Sequence, residues 1–573
     1  MPTKTRDTQS DTWTTTDALG RTLPAPAECG PPRPGKFVGL FYFLWLDKRH
    51  DSGLWDISKL LAANPSDPQY GPLHAFHWWG EPRLGYYRMD DAFVLRKHAQ
   101  MLSDAGVDVI FLDVTNALTY DENFLALCRV YMDIRRSGRT TPQIAFLANS
   151  NSAATVQHLY DTFYARNLYP DLWFRWKGKP LLLTPPDGLS EPVKNFFTLR
   201  HSWAWTDPNG WFGDGRDKWP WVDHTPQTPG WHGDPKKPEQ ISVAVAEHPV
   251  ANIGRSFQNG KQPPLNEKTR NAADVEKGLY FDEQWKRALA VDPELVFVTG
   301  WNEWIAQRFV GGKDGNPGFL GRSVREGETF FVDQFNQEFS RDIEPMRGGH
   351  GDNYYWQLVA NIRRFKGVRP NPKASAPKTI RIAGGFDQWA NVGPDFLDDV
   401  GDTLYRKHAG WANAHLYFNT TGRNDFDLMK VARDKTNLYF YVRTRAPITP
   451  SYGLTWMTLL LDTDNKRETG WEGYDFAVRH AMENGVVKSR LCRNVGGRWA
   501  WEPVAPVKMT CRGNEMHLAL PLKSLRLPPG RSLRVDFKWA DNVPESGDIL
   551  DFLDKGDAAP NGRFNYRYEV RTP

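Results

Sequence analysis

Between residues 37 and 299 the chain repeats one hydrophobic signature. Short runs in which neighbouring residues are all apolar or β-branched occur at 37–45, 107–113, 144–148, 180–184, 196–200, 241–246 and 295–299. A run without alternation is the pattern of a parallel strand buried on both faces. Between the runs lie stretches with apolar residues at helical spacing. One starts at Asp90, carries Phe93, Val94, Met101 and Leu102, and stops at Gly106; others cover 125–137, 156–167 and 279–290. Strand, helix and glycine stop in that order form a crossover unit. With a further short strand at 219–222, seven or eight such units over roughly 270 residues predict a (β/α)8 TIM-type barrel. A doubly wound open sheet is the competitor, and the Gly-rich phosphate turn it needs after an early strand is absent from the sequence.

After the barrel the period changes. A helix at 354–366 ends on Gly367, and 368–377 holds three prolines in ten residues, the composition of a linker. From 378 on, short alternating runs at 437–443, 456–461, 474–478, 516–520 and 534–538 predict an antiparallel β-sandwich. The expected organisation is a polar, Pro-rich N-terminal arm (1–34), a catalytic barrel (35–367), the linker (368–377) and the sandwich (378–573), so the fold class is α/β plus all-β.

Composition adds one positive signal and several exclusions. The 573 residues include 24 Trp, more than packing requires, and flat indole faces suit the C–H surfaces of sugars. A net charge of +4 is negligible for this length, so nothing points to nucleic acid or an anionic membrane. No apolar run approaches a membrane span. The N-terminus has no apolar signal core. The expectation is a secreted or periplasmic protein whose signal was trimmed before this sequence, with the cytoplasm as the alternative. Oligomeric state is not legible. The four cysteines, Cys29, Cys128, Cys492 and Cys511, show no metal spacing; Cys492 and Cys511 are read either as a cross-strand disulfide or as two buried thiols.

The candidate chemistry gathers where the last barrel run ends. Gly300, Trp301, Asn302, Glu303 and Trp304 place a carboxylate between two indoles at a strand terminus, where barrels carry catalytic groups. The loop 74–87 packs Phe76, His77, Trp78, Trp79, Glu81, Tyr86 and Tyr87 together and reads as one wall of a binding cleft. Other polar residues at strand ends are Asp47 (after Trp45), Asp113, Asn149, Arg200, Glu247 and His248. Glycoside cleavage needs one protonated and one ionised carboxyl. Glu303 is the first choice, with Glu338, Glu247 or Asp113 as its partner. Trp45, Asp47, Trp78, Trp79, Asn149, His248, Trp301, Asn302 and Trp304 are the expected glycan contacts. No cofactor is expected for catalysis.

From Gly300 to Trp304 the barrel resembles glycoside hydrolase family 99, whose last strand ends Asn-Glu-Trp with a second Glu three residues after the first. The resemblance implies an endo-acting, retaining α-mannan hydrolase in which Glu303 deprotonates the neighbouring sugar hydroxyl. The chain departs from the family at the proton donor, where it has Ala306. A Glu-Pro phrase the family often carries is matched after an insertion by Glu344-Pro345, which makes Glu338 a substitute donor. A second likeness, through Gly385 to Asp387, Trp389, 437–442 and 461–475, is similar to carbohydrate-binding modules of family 9. It implies calcium on Asp462, Asp464 and Asn465, oxygen ligands in an Asp-rich turn. Lys466 stands where an EF-hand has its third ligand, so the turn is not one; a plain polar hairpin is the alternative. Two non-hydrolytic readings stay open, a polysaccharide-binding protein that lost its acid and a protein of polysaccharide assembly.

Overall fold

The computed structural model describes residues 6–204, 210–246, 264, 273–312, 318–319, 322–338, 340, 342–450, 453–528 and 532–570. Strands of the first half include β1 (Phe37–Tyr42), β2 (Phe76–Trp78), β3 (Val109–Val114), β4 (Gln143–Ala148), β5 (Arg175–Trp176), β6 (Lys179–Leu183), β7 (Thr198–Arg200), β8 (Gly230–Trp231), β9 (Pro238–Ala244), β10 (Leu295–Trp301) and β11 (Ile305–Val310). Their helices are α1 (Pro26–Cys29), α2 (Ile57–Ala63), α3 (Ala92–Ala105), α4 (Asp121–Arg136), α5 (Ser152–Leu159), α6 (Glu191–Phe196), α7 (Leu279–Val291) and α8 (Asn353–Lys366).

One mixed, mainly parallel sheet runs β5-β6-β4-β3-β1-β10-β9-β8, with β7 also on β6. β1 lies at its middle, parallel to β10 (Phe37 opposite Leu295) and to β3 (Gly39 opposite Val109). The sheet curls, because both faces of each strand are buried in different company. Phe41, Val109, Phe111, Ala145, Leu147, Leu181, Leu183 and Phe297 fill the concave side. Val38, Leu40, Ile110, Leu112, Ile144, Phe146, Leu182 and Val298 belong to the larger core on the convex side. This alternation is the period-two geometry of a strand. Phe111 and Phe297 meet with ring centres 4.4 Å apart, and a Cβ at Gly39 would come within 2.2 Å of the Phe111 ring. Gly39 is therefore what lets the concave aromatic layer close over β1.

The arc between β7 and β8 is built differently from the rest of the sheet. Among the described residues no helix lies between β7 and β9; the Trp-, Gly- and Pro-rich chain crosses instead by single bridges. His201 N–H donates to the Asp217 carbonyl (2.9 Å), Trp219 N–H to that of His201 (2.7 Å) and Trp221 N–H to that of Trp203 (3.2 Å). Arg200 is not a site residue. Its guanidinium holds Glu239 at 2.6 and 2.8 Å, and the Trp176 and Trp219 indoles donate to the same carboxylate. Although burial opposes it, that company keeps Glu239 below its usual range.

The second half consists of antiparallel sheets. A five-stranded one is built from Phe396–Leu397, Phe426–Arg433, Asn437–Thr444, Glu515–Pro521 and Lys508–Arg512, in that order. A seven-stranded one includes Val486–Asn494, Phe476–Glu483, Thr458–Asp462, Leu533–Asp541 and Asp557–Ala559. Phe440 of the first packs on Phe537 of the second at 5.6 Å. Cys511 and Cys492 lie on different sheets, and all four cysteines are free thiols, which settles the disulfide alternative.

The halves are laced together. Trp13 of the N-terminal arm packs edge-on to Phe564 and Tyr566, and Arg363 of α8 donates to the carbonyls of Ser10 and Trp13. The Pro-rich stretch is tied down, with Val368 N–H on the Gly30 carbonyl and Arg369 on Asp11. Arg83 meets Asp548, Asp551 and Asp554 of the second half, and Arg406 meets Asp91. Among the described residues no helix is long and apolar enough to cross a membrane.

Candidate active site

β10 delivers Glu303 to the C-terminal edge of the curled sheet. Asn302, at φ +58, fixes the approach. Its side-chain oxygen accepts the Phe43 N–H and its amide donates to the Phe43 carbonyl, both at 2.9 Å. With both ends of its amide occupied by the backbone beyond β1, Asn302 is a clasp between strands and not a glycan contact. Glu303 is 1% exposed. Its carboxylate accepts from the Gln334 side chain at 2.7 Å, and its backbone N–H donates to Asp342 at 2.6 Å.

Asp342 and Glu344 form a strap over this corner. Both side chains are buried among aromatic donors. Asp342 accepts from Trp79 Nε1 at 2.7 Å. Burial pushes its carboxyl up to about 7; the Glu303 N–H and the Trp79 indole pull it down, and the charge of Glu344 raises it further. Glu344 accepts from Trp304 Nε1 (2.5 Å) and the Tyr87 hydroxyl (2.7 Å), and its other oxygen meets His98 Nε2 at 3.0 Å. The remaining His98 nitrogen lies 2.9 Å from the Tyr42 hydroxyl. Neither Asp342 nor Glu344 was among the predicted site residues. The Glu344-Pro345 phrase points at this segment but favours Glu338; the Asp-x-Glu spacing is the signal that joins Asp342 to Glu344.

A second carboxyl ends β3. Asp113 is buried, accepts the Thr115 N–H at 3.0 Å, and is pushed up to about 6, first by burial and then by the charge of Asp333, against the hydrogen bonds from Thr115. Asp333, which acts on Asp113, and Gln334, which holds Glu303, are consecutive residues of one loop. Beside them lies an aromatic mouth. Trp45 stacks on Phe43 (5.5 Å) and meets Phe76, which packs on His50 at 4.6 Å; His50 Nε2 is 3.3 Å from the Tyr120 hydroxyl. Trp45 is half-buried and its indole N–H makes no hydrogen bond. Tyr120 feels the charges of Asp113 and Asp47. Phe76, His50 and Tyr120 were not in the predicted set; Phe76 lay within the aromatic loop but was read only as part of a wall.

The other predicted residues fall in varied places. Trp78, Trp79, Trp301 and Trp304 have zero exposure, so they do not line a cleft. Trp78 packs on Tyr86, Tyr87 and Trp411, Trp79 stacks on Trp304, and Trp301 meets His98 and Tyr355 edge-on. Their ring faces are taken by protein. Asp47 pairs with Arg49 at 3.2 Å, and Asn149 is half-buried just past β4. Glu338 is buried, and its charge adds to that of Glu276 on Tyr354 of α8, whose hydroxyl burial raises most. Glu247 and His248 lie outside the described residues. Ala306, on β11 opposite His77 of β2, is buried in an apolar cluster with Ile57, Leu61 and Phe331. A carboxyl at 306 would enter that cluster. In the second half, one carboxylate oxygen each of Asp462, Asp464 and Asp475 lie within 4.8 Å of one another. Asn465 adjoins that group: its N–H donates to Asp462 and its amide to Asp536.

No known family profile matches the chain, and no curated protein matches it. Among solved structures it is similar to the GH99 endo-alpha-mannosidase of Bacteroides thetaiotaomicron in complex with bis-tris-propane, with 14% identity, a TM-score of 0.35, and coverage of 57% of this chain and 97% of that one. A second structure of that organism's GH99 endo-alpha-mannosidase matches over the same shares at 14% identity and a TM-score of 0.32. The likeness is loose, and the chemistry of the site has to come from its own residues.

Proposed function

We propose that the protein is a glycoside hydrolase acting on a poly- or oligosaccharide, with Asp113 as proton donor and Glu303 as the base or nucleophile. The observation that carries this reading is the loop dipeptide Asp333-Gln334. Burial, with the charge of Asp333 adding to it, raises the Asp113 carboxyl to about 6, and Gln334 holds the carboxylate of Glu303, so two strand-end carboxyls sit in different environments beside one loop. Two acids whose surroundings set them apart are what acid–base cleavage of an acetal requires. Trp45 and Phe76, both half-buried, offer the apolar surface for sugar C–H faces. In this reading the bridged arc 201–231 completes an eightfold barrel, and the substrate enters at its C-terminal face. Asp113 replaces Glu338 as the preferred donor, because Asp113 ends a strand of the same sheet that delivers Glu303. In the sandwich, Asp462, Asp464 and Asp475 suit a calcium ion that braces the turn.

A non-catalytic glycan-binding protein is the second reading, favoured by the near-complete burial of Glu303 and by four indoles that serve packing. A panel of mannans, glucans and xylans incubated with the full chain separates the two. Release of new reducing ends, absent in Glu303→Gln, supports the hydrolase. Retention of a glycan without any release, by wild type and variant alike, supports the binder and removes the enzyme reading.

A further inference from the structure

A second acidic group lies where the two halves of the chain meet, away from the strand ends that carry Glu303 and Asp113. Asp402 follows the strand Phe396–Leu397, Asp425 precedes Phe426–Arg433 in the same sheet, and Asp557 opens Asp557–Ala559 in the other sheet. One carboxylate oxygen from each lies within 4.8 Å of the other two. Two calcium–oxygen bonds of about 2.4 Å can bridge that spacing. Each carboxylate is held by a protein donor on its Oδ2: Asp402 by the Gln100 amide of α3 (2.7 Å), Asp425 by the Gly401 N–H (2.7 Å), and Asp557 by the Phe426 N–H (2.7 Å). The Oδ1 atoms of Asp402 and Asp425 make no hydrogen bond.

Acidic groups gather without a ligand in many proteins, so the neighbouring Asp398 matters. Its side chain has zero exposure, and neither carboxylate oxygen makes a hydrogen bond. A buried carboxylate is ordinarily satisfied several times over, and leaving one bare costs more than almost any other burial. After burial, the charges acting on it most are those of Asp402 and Asp425, so it lies near the same cluster.

The nearby cations do not answer the acids. Arg139 is engaged by Asp104 and Asp399, Arg96 donates to the Val400 carbonyl, and the Lys538 ammonium donates to the Pro560 carbonyl. Arg445 stands 4.0 Å from Asp425 on an exposed side chain.

We infer that Asp402, Asp425 and Asp557, with the buried carboxylate of Asp398 nearby, bind a structural calcium ion that fastens both sheets of the sandwich to helix α3. The donors are all carboxylate oxygen, with no imidazole or thiolate in the cluster, which selects a hard cation over zinc or copper. Magnesium prefers to keep several waters and a rigid octahedron, whereas a cage of buried carboxylates fits the larger ion. Binding displaces protons from the acids. The site is separate from the Asp462 turn, and its ligands come from three segments that are adjacent only in the folded chain.

Crystals of the full chain grown in calcium, with anomalous data collected at long wavelength, locate the ion directly. A peak among Asp402, Asp425 and Asp557 is expected. Peaks only at the Asp462 turn, or none, overturn the inference. In solution, Asp464→Asn should still melt at least about 2 °C higher in excess calcium than in chelator. Asp402→Asn should lose the part of the wild-type shift that Asp464→Asn keeps. Should Asp402→Asn not fold, the anomalous map still decides. An Asp464→Asn chain whose melting ignores calcium and chelator removes the site.

Discussion

Trp79 and Trp304 stack face to face, 4.5 Å between ring centres and 13° from parallel, and their N–H groups go to acids two residues apart. Trp79 donates to Asp342 and Trp304 to Glu344. The pair is thus a clamp on the 342–344 strap, and the strap in turn holds the backbone of Glu303. Phenylalanine at 79 would keep the stack and remove the donor, leaving an Asp342 oxygen without its indole. Trp79→Phe should cost about 1–3 kcal/mol, the scale of a buried polar group losing its partner. Urea unfolding measures this, and a loss below about 0.5 kcal/mol would mean the indole N–H does not hold the strap.

Glu303 is the residue on which the proposed chemistry stands. Glutamine there can still accept from Gln334, so the fold should survive while the acid–base or nucleophilic role is lost. Glu303→Gln should melt within about 2 °C of wild type and lose about 10³-fold or more in rate on a natural glycan. Retention of more than about a tenth of the rate places the chemistry elsewhere.

Asp342 links this corner to pH. Its folded pKa of about 7 lies above the value it has in an unfolded chain. A carboxyl raised in this way favours the folded state fully below its unfolded pKa, and that contribution is lost as pH rises through about 7. Asp342→Asn should therefore show a flatter fall in unfolding free energy between pH 4 and 8 than wild type, when both are measured in the same chelator-containing buffer. Identical slopes would mean that Asp342 is already ionised at low pH.

How much of this was legible follows from which forces are local. The runs at 37–45, 107–113 and 295–299 became β1, β3 and β10 because burial on both faces leaves no room for alternation. Glu303 could be placed at a strand end for the same reason. The role of the indoles could not be read. Trp78 and Trp301 look alike in sequence whether they face sugar or Trp411 and His98, and only long-range packing decides. Asp342 lies 39 positions beyond Glu303, so no local pattern joins them. Gly and Pro in 206–240 favour turns, so no helix was legible there, and single backbone bridges carry the sheet across. The linker composition at 368–377 was correct in its proline content and misleading about freedom, since Arg369 and Val368 anchor it.

That anchoring sets an expectation for the two halves. Arg83 is buried against Asp551 and Asp554, with Asp548 at the rim. Arg83→Met would leave the acids facing each other without their cation. A destabilisation of about 3 kcal/mol or more is expected, the scale for breaking a buried ion pair from one side. The full chain should melt in a single transition, and cleavage near Pro372 should not release a second half with its own melting curve. Two well-separated transitions in calorimetry of the intact chain would show that the contacts between the halves contribute little.

The identity of the proton donor is open to a test that separates acid from nucleophile. An acid is needed only when the departing oxygen is a poor leaving group. An activated aryl glycoside departs with little help, while a natural sugar must be protonated as its bond breaks. Asp113→Asn should therefore slow a natural glycan by about 10²- to 10⁴-fold and an activated aryl glycoside far less, whereas Glu303→Gln should slow both. The pH dependence has a definite sign. Asp113 must be protonated to act, and its carboxyl is held at about 6, so kcat/KM on the natural glycan should fall as pH rises through that value. With the aryl substrate the fall should be weaker, because protonation no longer limits the step. Glu338→Gln should leave the ratio between the two substrates unchanged. If Glu338→Gln shows the split and Asp113→Asn does not, the donor is Glu338 and Asp113 is only a buried neighbour of Asp333.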